Sequence, residues 1–408
     1  MKKNCIIALA VLCLFGCKTA TTNPETINYN YVNLEGEEFT VFMSNASEQD
    51  TTFTLKIFVG ADKGNAKNFV AEREVRIPAG GSSRASFDLE EDAYDIPGAK
   101  GYYIYYGTED SKSLHKYHVD KYDFTIHLIG DSTMASKRLD NDNKERGWGM
   151  YFRNCFKSNA RVVNYAADGK SAKTFISEGR WARVVRHLKP GDYLFIELGH
   201  NDEKIDKEDK NRYAWGEFSD NLRMFVHTAN EKGVHAVLLS PVARRWFGAD
   251  GKIVQSHEQY PAAVEAVAKE VGVPYIDMNK ATTEFIESLG DEPSKAYFMW
   301  LAPGTNKMYP QGREDNTHSV AKGAHKNCDI VCDSIRVKVP ELAAYLLDKP
   351  YDYVVRNDGK GDFMTIQEAF DAAEDNATIL VKQGYYNENA QIPAGKKLNV
   401  KYEKDVVK

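Results

Sequence analysis

The chain has 408 residues, of which 42% are hydrophobic and 27% are charged, and its formal net charge is −6. These values are ordinary for globular proteins, and the length leaves room for two or three domains. The negative balance argues against a nucleic-acid partner, which calls for a basic surface. No internal apolar run reaches the length of a membrane span.

The first 17 residues have the pattern of a targeting segment. A basic start, Met1-Lys2-Lys3, precedes a short apolar stretch from Cys5 to Phe15 and then Gly16-Cys17. This ending resembles a bacterial lipoprotein signal, which implies cleavage before Cys17 and lipidation of its thiol. We therefore expect a protein of the bacterial cell envelope whose only membrane contact is the lipid on Cys17, or a secreted protein if Cys17 is not lipidated.

Two further regions precede the first strong motif. Residues 18–29 are polar and predict a tether, whereas residues 30–120 contain about seven short segments of alternating apolar and polar residues, such as Phe39–Met43. This pattern, punctuated by Gly80-Gly81, predicts a small β-sandwich. The tyrosines between Tyr102 and Tyr106 could form a carbohydrate platform, but packing of alternate tyrosines in the sandwich core is the favoured alternative.

From Phe124 onward the pattern alternates between strands and helices. We predict strands at 124–129, 161–165, 193–198, 235–240 and 274–276, and helices at 219–232, 260–271 and 322–337. This order is typical of a doubly wound α/β domain. Ligands of such open sheets bind beyond the carboxyl ends of the strands.

Polar turns follow the first three of these strands. Gly130-Asp131-Ser132 could expose a serine nucleophile, and a helix expected after it would direct its amides at an oxyanion. Gly169 could offer its backbone amide to the same oxyanion, or it could only supply a positive φ angle to a turn. Asn201 carries an amide that can donate to an oxyanion, or it could satisfy its own backbone.

A fourth block, Asp315-Asn-Thr-His318, supplies the remaining chemistry of an acyl transfer. His318 can accept the proton of Ser132, and Asp315 can fix the tautomer of the imidazole. An isolated Asp-x-x-His is commonplace, so the prediction depends on its position after the other three blocks.

In this order, Ser132, Gly169, Asn201 and His318 resemble the SGNH (GDSL-type) hydrolase superfamily. More narrowly, the blocks resemble the rhamnogalacturonan acetylesterase family, over about residues 124–347; they are Gly130–Ala135, Gly169–Arg180, Gly199–Asp202 and Ser240–Arg245. The resemblance implies a flavodoxin-like α/β/α domain at 123–348 and a serine esterase that removes acetyl groups from pectin, with rhamnogalacturonan as the substrate. It calls for no metal and no cofactor. Asp168 departs from the small residue expected before Gly169 and adds negative charge there.

This resemblance assigns roles to individual residues. Ser132, His318 and Asp315 are the expected catalytic residues, and the amides of Ser132 and Gly169 together with Asn201 form the expected oxyanion hole. The expected substrate-binding residues are Arg180, Arg244 and Arg245, because arginine can hold a galacturonate carboxylate through two hydrogen bonds. The alternative is that these three arginines are solvated surface residues.

The tail from 351 to 408 has a different character. Its segment Val354–Ala373 resembles the opening of a pectin methylesterase right-handed β-helix. A solenoid needs several stacked coils to bury its core, and the catalytic residues of that family lie in later coils. We therefore expect an incomplete, separate segment that is dispensable for esterase activity.

Cys155, Cys328 and Cys332 follow the targeting segment, and Cys328 and Cys332 are four residues apart on a predicted helix. This spacing can bring two thiols together, although core cysteines are the favoured interpretation. None of the cysteines has the spacing of a zinc site.

Two other classes of function stay open from the sequence. The protein could be an SGNH esterase that acts on xylan, a lipid or a peptidoglycan acetyl group. It could also be a non-catalytic, glycan-binding surface lipoprotein in which the β-sandwich carries the activity. Hydrolysis of a chromogenic acetate separates an enzyme from a binder.

Overall fold

The computed structural model describes residues 26–35, 38–61, 68–89, 101–108, 114–120, 122–138, 142–157, 159–204, 213–347, 351–356, 362–382, 384–386, 388–402 and 406–407. The predicted signal segment, Cys17 and most of the predicted tether lie outside these residues. None of the helices in the described part of the chain combines the length and the apolar character that a membrane span requires.

The described strands, in chain order, are β1 Ile27–Glu35, β2 Glu38–Asn45, β3 Thr51–Ala61, β4 Asn68–Ile77, β5 Ser82–Asp88, β6 Gly101–Gly107, β7 His115–Asp120, β8 Phe124–Gly130, β9 Glu145–Arg146, β10 Ala160–Asn164, β11 Tyr193–Glu197, β12 His235–Leu239, β13 Tyr275–Ile276, β14 Phe298–Leu301, β15 Arg313–Val320, β16 Tyr353–Val355, β17 Thr378–Val381, β18 Gly384–Tyr385, β19 Asn399–Tyr402 and β20 Val406–Val407. The α-helices are α1 Gly149–Phe152, α2 Ala172–Ser177, α3 Arg180–His187, α4 Ser219–Glu231, α5 Tyr260–Val271, α6 Met278–Leu289, α7 Asp291–Ser294, α8 Ala321–Lys338, α9 Pro340–Ala343 and α10 Ile366–Ala372.

The amino-terminal strands form two antiparallel sheets, with orders β1-β2-β5 and β4-β3-β6-β7. Side chains from both sheets meet in one apolar cluster, which includes Phe39, Ile57 and Ile104. Tyr106 is buried in this cluster and its ring lies 5.7 Å from that of Phe39. Tyr106 is therefore a packing residue, and a carbohydrate-binding role of this region stays a prediction.

The central sheet has five parallel strands in the order β10-β8-β11-β12-β13. With β8 counted as the first strand, this is the flavodoxin-like order 2-1-3-4-5. The strands and helices predicted from Phe124 onward are found with bounds that differ by at most one residue. The α/β fold is therefore confirmed.

Both faces of the central sheet are covered, as a parallel sheet requires. Ile126 and Leu128 of β8 belong to one buried cluster together with Phe152. Ile129 faces the opposite way and packs in a second cluster with Phe225. Successive side chains of β8 thus point to opposite faces of the sheet, and each face is covered by its own layer of helices.

A small antiparallel sheet, β14-β15-β9, lies beside this core. Its middle strand β15 contains both Asp315 and His318, and Ser319 pairs with Arg146 of β9. Helix α8 begins at Ala321, directly after this strand.

The tail does not stand apart from the central α/β region, contrary to the expectation of a separate segment. Its strands β16, β17 and β19 are parallel, and Phe363 and Phe370 share one buried cluster with Phe152. Polar contacts reinforce the packing, since Arg146 pairs with Glu368 at 2.6 Å. The sequence pattern shows that the tail has apolar residues but not which surface covers them. Its relation to a β-helix stays a prediction.

We expect a chain that ends after Leu347 to be less soluble and less stable, because the cut exposes the apolar surface that Phe370 and its neighbours cover. Phe370→Ala should lower the free energy of unfolding by about 3–5 kcal/mol. The matched control Tyr402→Ala, at a residue that is 39% exposed, should stay within about 0.5 kcal/mol. Thermal denaturation of the three variants tests this, and an unchanged midpoint in the shortened chain would contradict it.

Candidate active site

Three strand ends converge because β8 lies between β10 and β11. Gly130, the last residue of β8, is aligned with Glu197, the last residue of β11. Asn164, the last residue of β10, is aligned with Leu128. The turns that follow the three strands therefore emerge at one edge of the sheet, which is where open α/β sheets bind ligands.

Gly130 is required at the end of β8 for steric reasons. A Cβ at this position would lie 2.8 Å from the carbonyl oxygen of Glu197 and 2.9 Å from the sulfur of Met134. Any side chain would thus push β8 away from β11 and displace the turn that carries Ser132.

The helix that we expected after Ser132 is not present. Residues 132–134 form a turn, which is closed by a hydrogen bond from the Ala135 amide to the Asp131 carbonyl at 3.0 Å. The Asp131 side chain accepts hydrogen bonds from the amide and hydroxyl of Thr133 at 3.0 and 2.9 Å. Such local side-chain bonds offer the backbone an alternative to a helix. Ser132 therefore has no helix dipole behind it.

The structure brings Ser132, His318 and Asp315 together. His318 Nε2 lies 3.0 Å from Ser132 Oγ, and His318 Nδ1 lies 2.8 Å from Asp315 Oδ2. The other oxygen of Asp315 accepts the backbone amides of Thr317 at 2.8 Å and of His318 at 2.9 Å. The three side chains form a hydrogen-bonded chain of the kind that can activate a serine nucleophile.

These contacts also set the charge of Asp315. Burial alone would raise the pKa of this carboxyl group. The hydrogen bonds from the ring and the amide of His318, and the charge of that ring, outweigh burial and hold the pKa well below its usual range. Asp315 is therefore a carboxylate over the whole pH range in which an imidazole can act as a base.

The turn after β10 places Gly169 in a left-handed conformation. Its φ angle is +72°, and a Cβ at this position would have no atom within 4 Å, so the space beside it is open. Ser171 then caps α2 through a hydrogen bond from the Thr174 amide at 3.1 Å. Asp202 accepts the Ala172 amide at 2.8 Å and ties this turn to the one that follows β11.

Asn201 is 7% exposed and its amide is held at both ends. Its Nδ2 donates to the carbonyl of Lys170 at 3.1 Å, and its Oδ1 accepts from Lys204 at 2.8 Å. The amide nitrogen is thus directed toward the residues that follow Gly169. This orientation contradicts the alternative in which Asn201 only satisfies its own backbone.

Two of the three arginines predicted to bind substrate lie in the interior. Arg244 is 6% exposed, is paired with Glu203, and donates to Thr317 Oγ1 at 3.2 Å. The Arg244 guanidinium is thus occupied by protein groups beside the Asp315–His318 segment.

Arg245 is 3% exposed, and its amide donates to the carbonyl of Asn316 at 2.8 Å. Its side chain pairs with Asp291. Both interior arginines therefore support the Asp315–His318 segment, and neither presents its guanidinium to a polysaccharide. Arg180, by contrast, has a side chain that is 42% exposed and lies 3.3 Å from Glu178.

A buried carboxyl group, Glu197, lies behind the Ser132 turn. It is 0% exposed, accepts hydrogen bonds from Trp148 Nε1 at 2.5 Å and the Val242 amide at 3.1 Å, and lies 3.3 Å from Thr133 Oγ1. Burial, and next the charge of Asp131, raise the pKa of Glu197 to about 8. In the sequence Glu197 has only the appearance of the last residue of a strand, so its position behind the nucleophile could not be predicted.

A chain of charged side chains connects two of the predicted blocks. Asp168 pairs with Lys137, and Lys137 lies 2.8 Å from Glu145. Glu145 lies 3.8 Å from Arg313, which donates to Asp315 Oδ2 from Nε at 3.2 Å. The negative charge that distinguished Asp168 is therefore balanced. In the sequence, the unusual charge of Asp168 was the only sign of these ion pairs, because Lys137 and Arg313 are remote from it along the chain.

Comparisons with known proteins identify the family of the chain. Residues 128–314 match the model of the GDSL-like Lipase/Acylhydrolase family. The rhamnogalacturonan acetylesterase RhgT of Bacillus subtilis (strain 168) is 37% identical over 235 residues, which are 58% of this chain and 96% of the relative. The chain belongs to the GDSL-like lipase/acylhydrolase family. It is therefore a carboxylic ester hydrolase.

Two further similarities were found. The probable rhamnogalacturonan acetylesterase YesY of Bacillus subtilis (strain 168) is 30% identical over 211 residues, which are 52% of this chain and 92% of the relative. The crystal structure of the YxiM protein of Bacillus subtilis has a TM-score of 0.48 and 18% identity, and the match covers 77% of this chain and 88% of that one.

Arg313 offers a test of the charge chain in this esterase. The Arg313 guanidinium and the His318 ring both contact Asp315 Oδ2. Arg313→Met should therefore remove one hydrogen-bond donor from this carboxylate and raise its pKa. We expect kcat to fall about 10-fold, with the acidic limb of the kcat/KM profile moved to higher pH, and Arg313→Lys should restore part of the loss. The control is Arg223→Met, which removes the exposed pair with Glu270 at 2.8 Å. A fall in kcat without any change in the pH profile would contradict this role.

Proposed function

We propose that this esterase removes acetyl groups from rhamnogalacturonan in pectin through an acetyl-enzyme formed on Ser132. The observation that carries the proposal is the hydrogen-bonded chain from Ser132 Oγ to His318 at 3.0 Å and on to Asp315 at 2.8 Å. RhgT and YesY are named as rhamnogalacturonan acetylesterases, and these names support the choice of acetyl group and of glycan in this proposal.

In the first half of the reaction, Ser132 Oγ attacks the carbonyl carbon of the acetyl group while His318 Nε2 takes its proton. Asp315 holds the ring through Nδ1 and stabilises the imidazolium that forms. His318 then returns the proton to the sugar oxygen as the carbon–oxygen bond breaks. The second half repeats these steps with water as the nucleophile and releases acetate.

The negative charge that develops on the carbonyl oxygen needs hydrogen-bond donors. The amides of Ser132 and Gly169 and the side chain of Asn201 are the proposed donors. The bond from Asn201 to the Lys170 carbonyl at 3.1 Å fixes the position of this side chain before substrate arrives. A donor fixed in this way is worth roughly 3–4 kcal/mol in the transition state of acyl transfer.

Binding of a pectic chain must overcome like charge, since pectin is a polyanion and the esterase carries −6. Salt weakens such a long-range repulsion beyond about 10 Å. Arg180 is the one predicted arginine of the three that stays accessible, and it lies near Glu178, which also accepts from Lys170 at 2.7 Å. We propose that a galacturonate carboxylate takes a place beside Arg180 and Lys170, whereas Arg244 and Arg245 act only as internal supports.

Ser132→Ala should abolish acetate release and leave the fold intact, because this change in an open turn costs little stability. Wild-type and variant would be assayed for acetate release from acetylated rhamnogalacturonan and from acetylxylan. The pectic substrate should be preferred, and the variant should be inactive on both. Turnover by a folded variant would refute the nucleophile, whereas a preference for acetylxylan would refute only the substrate.

Asn201→Ala should lower kcat by about 100- to 1,000-fold with little effect on KM, because an oxyanion donor acts mainly in the transition state. The control is Asn230→Ala, at an exposed position in α4. Steady-state kinetics on a chromogenic acetate would measure both constants. If KM alone rose, Asn201 would be a substrate-binding residue instead.

A further inference from the structure

Three buried cysteines lie together beside the helix that follows His318. Cys155 Sγ and Cys328 Sγ are 3.3 Å apart, and the sulfur of Cys332 lies within 4.8 Å of both. The three residues are 1%, 0% and 6% exposed, respectively. The sequence spacing brings together only Cys328 and Cys332 of α8. The fold adds Cys155, which is 173 residues before Cys328 in the sequence.

The surroundings of these sulfurs are apolar. The three cysteines belong to the same buried cluster as Phe152 and Ile335. Burial raises the pKa of the Cys328 thiol well above its usual range, because an apolar site disfavours the charged form. A metal held by three thiolates would bring several negative charges into this cluster, at a high desolvation cost. A disulfide carries no charge and avoids that cost.

We propose that Cys155 and Cys328 form a disulfide when the protein folds in an oxidising compartment, and that Cys332 stays a thiol beside it. The proposal rests on the predicted export of the chain and not on the esterase function.

The oxidant is a small-molecule disulfide such as oxidised glutathione. One cysteine attacks it, releases one reduced glutathione and forms a mixed disulfide. The second cysteine then displaces the other glutathione, so that two protein thiols become one disulfide and two reduced glutathiones form. Because both sulfurs are buried in the native protein, we expect this exchange during folding, before the cluster closes.

The bond would connect two elements that support the active site. Cys155 ends the short helical turn after α1, and its carbonyl accepts the Leu347 amide at 2.7 Å. Cys328 lies on α8, which starts three residues after His318. The closed loop would contain Gly169, Asn201 and His318. Such a long loop restricts the unfolded chain strongly and should stabilise the fold.

The test is to refold the full-length protein in a buffer of reduced and oxidised glutathione, then to alkylate the thiols and map the peptides by mass spectrometry. We expect Cys155 linked to Cys328 and Cys332 alkylated. The thermal midpoint should exceed that of the same protein reduced with dithiothreitol by about 5–10 °C. Cys332→Ala should keep both the linkage and this difference, whereas Cys155→Ala should lose both.

Alkylation of Cys155 and Cys328 after oxidative refolding would overturn the proposal, and so would a linkage between Cys328 and Cys332 alone. A third contrary result would be that the reduced protein keeps one equivalent of bound zinc and that this zinc protects all three thiols from alkylation. If Cys155→Ala does not fold, the peptide maps of the wild-type protein and of Cys332→Ala decide the question.

Discussion

The contact between His318 Nε2 and Ser132 Oγ joins two parts of the chain that are 186 residues apart, and the proposed chemistry depends on it. A distance of 3.0 Å leaves little tolerance, because a proton must pass along this line. The serine side is fixed by the parallel pairing of β8 with β10 and β11. The histidine side lies on a short antiparallel strand outside that sheet and must be fixed by other means.

Three arginines supply that support on the histidine side, two through their side chains and one through its backbone amide. Arg244 reaches the Thr317 hydroxyl, the Arg245 amide reaches the Asn316 carbonyl, and Arg313 shares the Asp315 carboxylate with the imidazole. Because a guanidinium group carries five N–H donors, a few arginines can satisfy several acceptors around this segment at once. This explains why two arginines that resemble substrate ligands in sequence are interior residues in the fold.

The tail contributes to the same support. Arg146 of β9 pairs with the histidine strand through Ser319 and forms an ion pair with Glu368 of α10. On the next helix, Lys322 pairs with Glu374 at 2.8 Å. The tail is thus packed beside the strand that contains His318 and against the helix that follows it. Its apolar residues are covered by the esterase region.

The sequence by itself determined the central fold and indicated the groups that we propose to react. Strand and helix periodicity after Phe124 is local information, and Ser132, Gly169, Asn201 and the Asp315–His318 pair were each visible within a few neighbouring residues. Only the tertiary structure decided what lies around them. The partner of Asp168, the burial of Glu197, the interior position of Arg244 and the third cysteine beside α8 all depend on contacts between residues remote in the chain. Charge compensation and burial are properties of three-dimensional neighbours, so a linear pattern carries no signal for them.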